Sequence, residues 1–196
     1  MNLKKILILP IGFLCTNILY ISCCKCVDSN EHFYEVRNVT VKPVGSGGVI
    51  IDTGIPVTAD TVFLNYFLGV NCVAAAKTDL SFLVNGAFAC KCQECGGLGL
   101  KYKLLAVNIT SDNVYNGVAA NTPLNAFFKV KGDNINPDYP LDSLVPVANN
   151  GNGFRFYMSV FTKTKSGNTA GHRFKLNMSY ANNTAVSAVT NAITWQ

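Results

Sequence analysis

Large apolar side chains recur at every second position in two stretches of the C-terminal half. Phe154, Phe156, Met158 and Val160 alternate with Arg155, Tyr157 and Ser159; Phe174, Leu176, Met178 and Tyr180 alternate with Arg173, Lys175, Asn177 and Ser179. A period of two marks a strand with one buried face. Ser166-Gly167-Asn168 lies between the runs and has turn chemistry, so the two predict an antiparallel hairpin. Residues 33–41 read F-Y-E-V-R-N-V-T-V, with Tyr34, Val36, Val39 and Val41 apolar and a phase slip at Asn38. The chain breaks at Gly45-Ser46-Gly47-Gly48 and resumes with Val49-Ile50-Ile51, a second hairpin-like pattern. Residues 101–110 form a β-rich run that ends at Ser111-Asp112-Asn113, and residues 189–195 supply a last strand.

Helical patterning is sparse. Thr122 followed by Pro123 is a helix start good for one or two turns, and Asp142-Ser143-Leu144 marks another short turn. Neither covers a sheet. The expected fold is therefore all-β: an antiparallel two-sheet sandwich, immunoglobulin-like or similar, with few short helices. A partly open barrel is the second choice. The 12 Phe and 8 Tyr suit such a core. With 196 residues and no internal repeat, the chain predicts one domain, over residues 31–196. Charged residues make up 14%, below the ~25% of ordinary soluble domains, which argues against a disordered chain.

The N-terminus has a different character. Lys4 and Lys5 precede an uncharged, mostly apolar stretch over residues 6–21, interrupted by Pro10, Gly12, Thr16 and Asn17. It is shorter than the ~20 apolar residues of a membrane-spanning helix and reads as a secretory signal over residues 1–22; an uncleaved anchor helix is the alternative. The stretch runs into Ser22-Cys23-Cys24-Lys25-Cys26. Ser22-Cys23 resembles a bacterial lipobox, with Tyr20 in place of the usual Leu. The resemblance implies cleavage before Cys23, lipidation of that cysteine, and a tether over residues 23–30. Cysteine parity agrees: loss of Cys15 and lipidation of Cys23 leave Cys24, Cys26, Cys72, Cys90, Cys92 and Cys95, an even set suited to disulfides in an oxidising compartment. Their pairing is open.

Cleavage also changes the charge. The formal +5 falls to +3 once Lys4 and Lys5 leave, because 14 basic residues then face the same 11 acids. Basic residues come in alternating pairs such as Lys101/Lys103, Lys129/Lys131 and Lys163/Lys165, not in a patch, so no nucleic-acid partner is expected.

Three motifs carry possible chemistry. Cys92-Gln93-Glu94-Cys95-Gly96-Gly97-Leu98-Gly99 matches the C-x-x-C-x-G-x-G unit of the zinc region of DnaJ-type chaperones. One unit supplies two of the four ligands that zinc wants, so disulfides are the preferred reading and a zinc-stabilised module using the cluster from Cys90 to Cys95 is an alternative. Ile50-Ile51-Asp52-Thr53-Gly54 resembles the D-T-G signature of aspartic proteases, but the family's later apolar-Gly-Arg segment is missing and a strand-closing turn explains it. His32 and His172 stand alone, no G-x-S-x-G elbow accompanies them, and Gly45-Ser46-Gly47-Gly48 lacks the Lys-Ser/Thr of a phosphate loop. N-x-S/T sequons at Asn38, Asn108, Asn177 and Asn182 fit glycan acceptors of a eukaryotic or viral ectodomain, and chance in an Asn-rich bacterial chain.

The Ser22-Cys23-Cys24 start, the Ala89-Cys90-Lys91-Cys92 segment, residues 104–116, the short run from Pro123 to Phe128, the surroundings of His172 and the ending Ile193-Thr194-Trp195 resemble small Bacteroidota lipoproteins of uncharacterised function. The resemblance implies an exported, lipid-anchored β-rich domain at the bacterial outer membrane, on its periplasmic or surface face. The expected role is a non-catalytic binding or structural domain with a glycan or protein ligand, without catalytic residues, metal or cofactor; a hydrolase of envelope polymers using Asp52 is the alternative. Intact-mass measurement of the membrane fraction from a bacterial host should show loss of residues 1–22 and added acyl mass. A soluble, unacylated product cut elsewhere would refute the assignment of Cys23.

Overall fold

The computed structural model describes residues 32–52, 56–74, 96–132, 137–152, 157–167 and 169–196. Strands β1 (His32–Gly45), β2 (Val62–Ala74), β3 (Leu104–Ser111), β4 (Lys129–Val130), β5 (Tyr139–Pro140), β6 (Tyr157–Thr162), β7 (Phe174–Tyr180) and β8 (Ala185–Val189) form two antiparallel sheets. One has the order β1-β2-β6-β4-β5 and the other β3-β7-β8. The architecture is the two-sheet sandwich that the alternation predicts.

Alternation sets what each strand buries. Phe174, Leu176, Met178 and Tyr180 all point inward from β7 and are buried, while Arg173 and Lys175 are exposed. Facing them across the sandwich are Val62, Leu64, Tyr66 and Leu68 of β2 with Met158 and Val160 of β6, joined by Leu104, Val107 and Ile109 of β3 in one continuous core. Each such side chain contributes ~1.5–3 kcal/mol on burial. Phe154 and Phe156 lie outside the described residues.

The phase slip at Asn38 is a β-bulge. The β1–β2 register shifts between Val36 and Asn38, so Tyr34 and Val36 before it and Val39 after it all face the core. The bulge folds the Asn38 side chain over Gly69, its partner on β2. A Cβ on Gly69 would come within 2.2 Å of Asn38 Oδ1, so the glycine is what lets the Asn38 side chain lie over β2 in this position.

One expected pairing is found in short form and one is corrected. The segment after Gly48 turns back on the end of β1, with an antiparallel bridge from Val44 to Ile50 and backbone bonds from Gly45 N to Val49 O (2.9 Å) and from Ile51 N to Pro43 O (3.0 Å), while the main partner of β1 is β2, paired from His32↔Ala74 to Gly45↔Val62. Strands β6 and β7 do not form a hairpin: β6 pairs with β2 and β4, and β7 with β3 and β8. Residues 163–167 and 169–173 lie between the two sheets. Two strands that each carry a wholly apolar face bury more area face to face than edge to edge, and local turn chemistry does not distinguish the two. Of residues 189–195, Val189 ends β8 and the rest give two bridges, Ile193 to His172 and Trp195 to Val57, in place of a separate strand.

The free edge of β3 is closed by side chains. Asn149 accepts from Leu104 N (2.8 Å) and donates to Leu104 O (2.9 Å), so one amide does the work of a paired residue. Asn125 does the same further along, accepting from Ile109 N (3.1 Å) and donating to Val107 O (2.8 Å), beside a backbone bond from Leu124 N to Ile109 O (2.7 Å). An open strand edge offers unpaired groups to other chains, and these amides occupy them. They also hold two short segments in place: the 3-10 turn Asn125–Phe127, and the run of Leu141–Ser143 and Leu144–Val147 that precedes Asn149. These turns are the helical structure predicted around Thr122 and Asp142. No helix among the described residues is long and apolar enough to cross a membrane.

The core makes a specific stability prediction. Leu176→Asp places a charge at a fully buried position and should cost more than about 4 kcal/mol, abolishing the cooperative melt. Asn177→Asp, one residue along and on the outer side, should stay within about 1 kcal/mol of wild type in a urea titration.

Candidate binding face

The register that builds the core also orders the outer face of the five-stranded sheet. Residues directly opposite one another form three rows across the strands. The first is Thr40, Phe67 and Tyr157; the second Lys42, Asn65 and Ser159; the third Val44, Phe63, Phe161 and Lys129. Rings dominate the first and third rows. Phe67 and Tyr157 meet at 5.4 Å and Phe63 and Phe161 at 5.5 Å, both tilted. Asn65 ties the middle row to the first, its Oδ1 accepting from Tyr157 OH (2.9 Å) and Ser159 Oγ (2.8 Å). Lysines border the rings: Lys42 Nζ stands 5.7 Å from the Phe67 centroid and Lys163 Nζ 5.8 Å from that of Phe161.

Phe67 is 41% and Tyr157 49% exposed, so this aromatic area faces water. The outer face of the other sheet differs. It presents Lys175, Asn177 and Ser179 between Thr110 and Asn108 on one side and Val189, Ser187 and Ala185 on the other, without a ring among the described residues. Contiguous exposed apolar area marks an interaction surface, and tyrosine combines an apolar body with a polar tip.

At its third row the face opens into a cleft of about 300 Å³, lined by Phe127, Lys129, Asp138, Phe161, Lys163 and Thr164. That is the lower end of the ~300–1,000 Å³ of small-molecule sites. Its walls come from separate elements. Phe127 stands on the turn that Asn125 pins to β3, and its ring meets Tyr115 edge-on at 5.5 Å. Phe128 beside it is buried against Phe174, edge-on at 5.4 Å. The Tyr115 hydroxyl donates to Thr164 O, fixing the opposite wall. Asp138 accepts from Gly132 N (3.0 Å) and pairs with Lys131 (3.1 Å). The Gly132 amide first, then Lys131, hold the Asp138 carboxyl below its ordinary range, and the charge of Lys163 adds to the effect.

Behind the cleft lies a buried polar joint. His172 is fully buried; Ser111 Oγ lies 3.0 Å from Nδ1 and Ser166 Oγ 2.7 Å from Nε2. Tyr115 (5.3 Å), Trp195 (5.7 Å) and Phe174 (6.0 Å) surround the imidazole. His172 N donates to Ile193 O and Ile193 N to His172 O, which moors the C-terminal segment. A hydrolytic Ser-His set needs an accessible hydroxyl and a carboxylate on the far imidazole nitrogen. Here serines contact both nitrogens, all three side chains are buried, and Asp112 accepts instead from Arg173 N (2.8 Å). The arrangement holds the fold together and leaves no room for a substrate.

Other residues singled out by sequence fall elsewhere. Asp52 is exposed, and Thr53 and Gly54 lie outside the described residues. So do Cys23, Cys24, Cys26, Cys90, Cys92 and Cys95. Cys72 sits on β2 opposite Tyr34 and is exposed. The glycines that follow Cys95 have a packing reason: Gly96 has φ +99 and a Cβ there would meet the Tyr34 ring at 2.7 Å, while Gly99 O accepts from Tyr34 N (2.9 Å). The segment lies along the edge of β1 and needs glycine for that approach. Asn108 and Asn177 face each other across β3 and β7, and Asn182 caps the β7–β8 turn by accepting from Thr184. Among the described residues no three His, Cys, Asp or Glu side chains gather as a metal site would require. Sequence reading missed β2 as a strand, and with it Asn65 and Phe67. The unbroken run Val62-Phe63-Leu64, followed by Tyr66-Phe67-Leu68, was the available signal.

No protein-family profile matches the chain, and no curated protein or solved structure shows significant similarity to it.

Burial keeps His172 neutral by pushing its pKa below the ordinary 6.5, against the opposing charge of Asp112. The unfolded chain then binds a proton that the folded chain refuses, so stability is full above 6.5 and falls as the pH drops through the folded value. Urea midpoints should decline from pH 8 to pH 5 in the wild type. His172→Gln should be less stable at pH 8 by about 1–3 kcal/mol and show a flatter decline. An equally steep decline in the variant would remove His172 as the cause.

Proposed function

We propose that this chain is a non-catalytic saccharide-binding domain, exported and held by a lipid on Cys23 at the bacterial outer membrane, as in the small Bacteroidota lipoproteins it resembles. The observation that carries the reading is the outer face of the five-stranded sheet, where the exposed Phe67–Tyr157 pair adjoins the Asn65–Ser159 hydrogen-bonding row. Sugar rings present apolar C–H faces that lie against aromatic rings, and equatorial hydroxyls that need fixed donors and acceptors at the ring edge. The exposed Phe67–Tyr157 pair and the amide and hydroxyl of Asn65 and Ser159 beside it supply both. The surface is rigid, because each of its side chains stands on a paired strand, and preorganised contacts lose little entropy on binding.

Disulfides among Cys24, Cys26, Cys72, Cys90, Cys92 and Cys95 belong to the same proposal, since an exported domain meets an oxidising compartment. Gly96 and Gly99 are accounted for by their contact with Tyr34, which takes weight from a zinc-stabilised module. A hydrolase using Asp52 lacks support from the surroundings of that exposed side chain.

Affinity electrophoresis on gels containing soluble polysaccharides tests the reading. Migration of the purified chain should be retarded by at least one of them, and Phe67→Ala with Tyr157→Ala should reduce the retardation at least tenfold without lowering the melting temperature. Unchanged retardation in the double variant would place binding elsewhere, and none across neutral and acidic polymers would refute the function.

A further inference from the structure

The cleft at the end of the aromatic face is lined by two lysines, where the exposed ring pair beside it has Lys42 alone near Phe67. Lys129 and Lys163 line it from two segments, Lys129 on β4 opposite Phe161 and Lys163 just past the end of β6. Among the described residues no carboxylate forms an ion pair with either. The one acid that lines the cleft, Asp138, is taken up by Lys131 and the Gly132 amide. Three lysines and one carboxylate therefore leave the cleft with an excess of two positive charges. Phe161, itself only 4% exposed, links the third row to the cleft wall, which Phe127 also lines.

A neutral sugar would gain from the two ammonium groups only ordinary hydrogen bonds to its hydroxyls. An acidic sugar gains from this charge, because its carboxylate meets charge-assisted donors that are worth more than neutral ones. The small size of the cleft fits a single residue of a chain whose neighbours continue over Phe63, Asn65 and Phe67.

We propose that Lys129 and Lys163 bind the carboxylate of a uronic acid residue, so that the ligand of this face is an acidic polysaccharide. The inference rests on the saccharide-binding reading above and adds the ligand's charge. Phe67 and Tyr157 would hold the neighbouring rings, and the two lysines would select the charged one.

Isothermal titration of the full chain with polygalacturonate and with its methyl ester, which differ by the carboxylate alone, tests this. The acid should bind at least tenfold more tightly than the ester at moderate salt, and the preference should shrink as salt rises. Lys129→Gln with Lys163→Gln should erase the preference while leaving residual binding of both polymers. Lys103→Gln with Lys175→Gln removes the same charge away from the cleft and should keep the preference. All four lysines are exposed, so the variants should melt like the wild type. Equal affinity for acid and ester, a preference that survives in the cleft variant, or equal loss in both double variants would overturn the acidic-ligand inference and leave saccharide binding standing. Binding of neither polymer, together with no retardation by neutral ones, would overturn both.

Discussion

Strands β2 and β6 carry large side chains on both of their faces, and their mutual register decides what each face becomes. Pairing Leu64 with Val160 and Tyr66 with Met158 sends these four into the core; the same pairing sends Phe63, Phe67, Tyr157 and Phe161 outward as two ring pairs. A slip of one residue would exchange the two sets and leave β7 facing Asn65 and Ser159. The inner set is the one that meets Phe174, Leu176 and Met178, so the packing of the second sheet holds the outer face in position. Core and recognition surface are two sides of one constraint.

The abundance of asparagine has a related explanation. Only two residues of β4 and two of β5 extend the larger sheet beyond β6, and β3 ends the smaller sheet with one side unpaired. Asn125 and Asn149 close that side because an amide carries a donor and an acceptor spaced like those of a backbone unit. The cost is low, since no further strand has to be ordered. The gain extends beyond the edge: the turn anchored by Asn125 carries Phe127 into the cleft, and Asn125 Nδ2 also lies 2.7 Å from Asp142 Oδ1, which joins the two short helical segments. Satisfaction of the backbone thus shapes one wall of the proposed binding site.

The His172 joint shows why a serine–histidine contact need not mean catalysis. Its two hydroxyls, its aromatic enclosure and its link to Ile193 serve the closure of the sandwich at the end where the chain crosses between sheets. Tyr115 couples this joint to the cleft, touching His172 on one side and Phe127 on the other while its hydroxyl reaches Thr164. The groups that stabilise the fold and those that line the site are consecutive layers of the same packing.

Some of this was legible in the sequence. The strict alternation of residues 173–180 determines which side of β7 is buried, because a two-residue period leaves no other way to hide four large side chains. The irregular spacing of Val36 and Val39 determines the bulge, and the absence of long helical patterning determines the all-β class. Other features depended on distance in space. Strand β2 shows no alternation, since both of its faces carry large apolar residues, and only pairing on both sides makes it a central strand. The turn at Ser166 and Gly167 has the chemistry of a hairpin, yet whether β6 and β7 share a sheet is set by the area they bury against other strands. Asn125 and Asn149 carry no local signal at all, and Ser111 and Ser166 carry only that of turns. Each becomes important through a partner that the chain brings near only after folding, and the same holds for Lys129 and Lys163, which are ordinary surface lysines until β4 and β6 place them around one cleft.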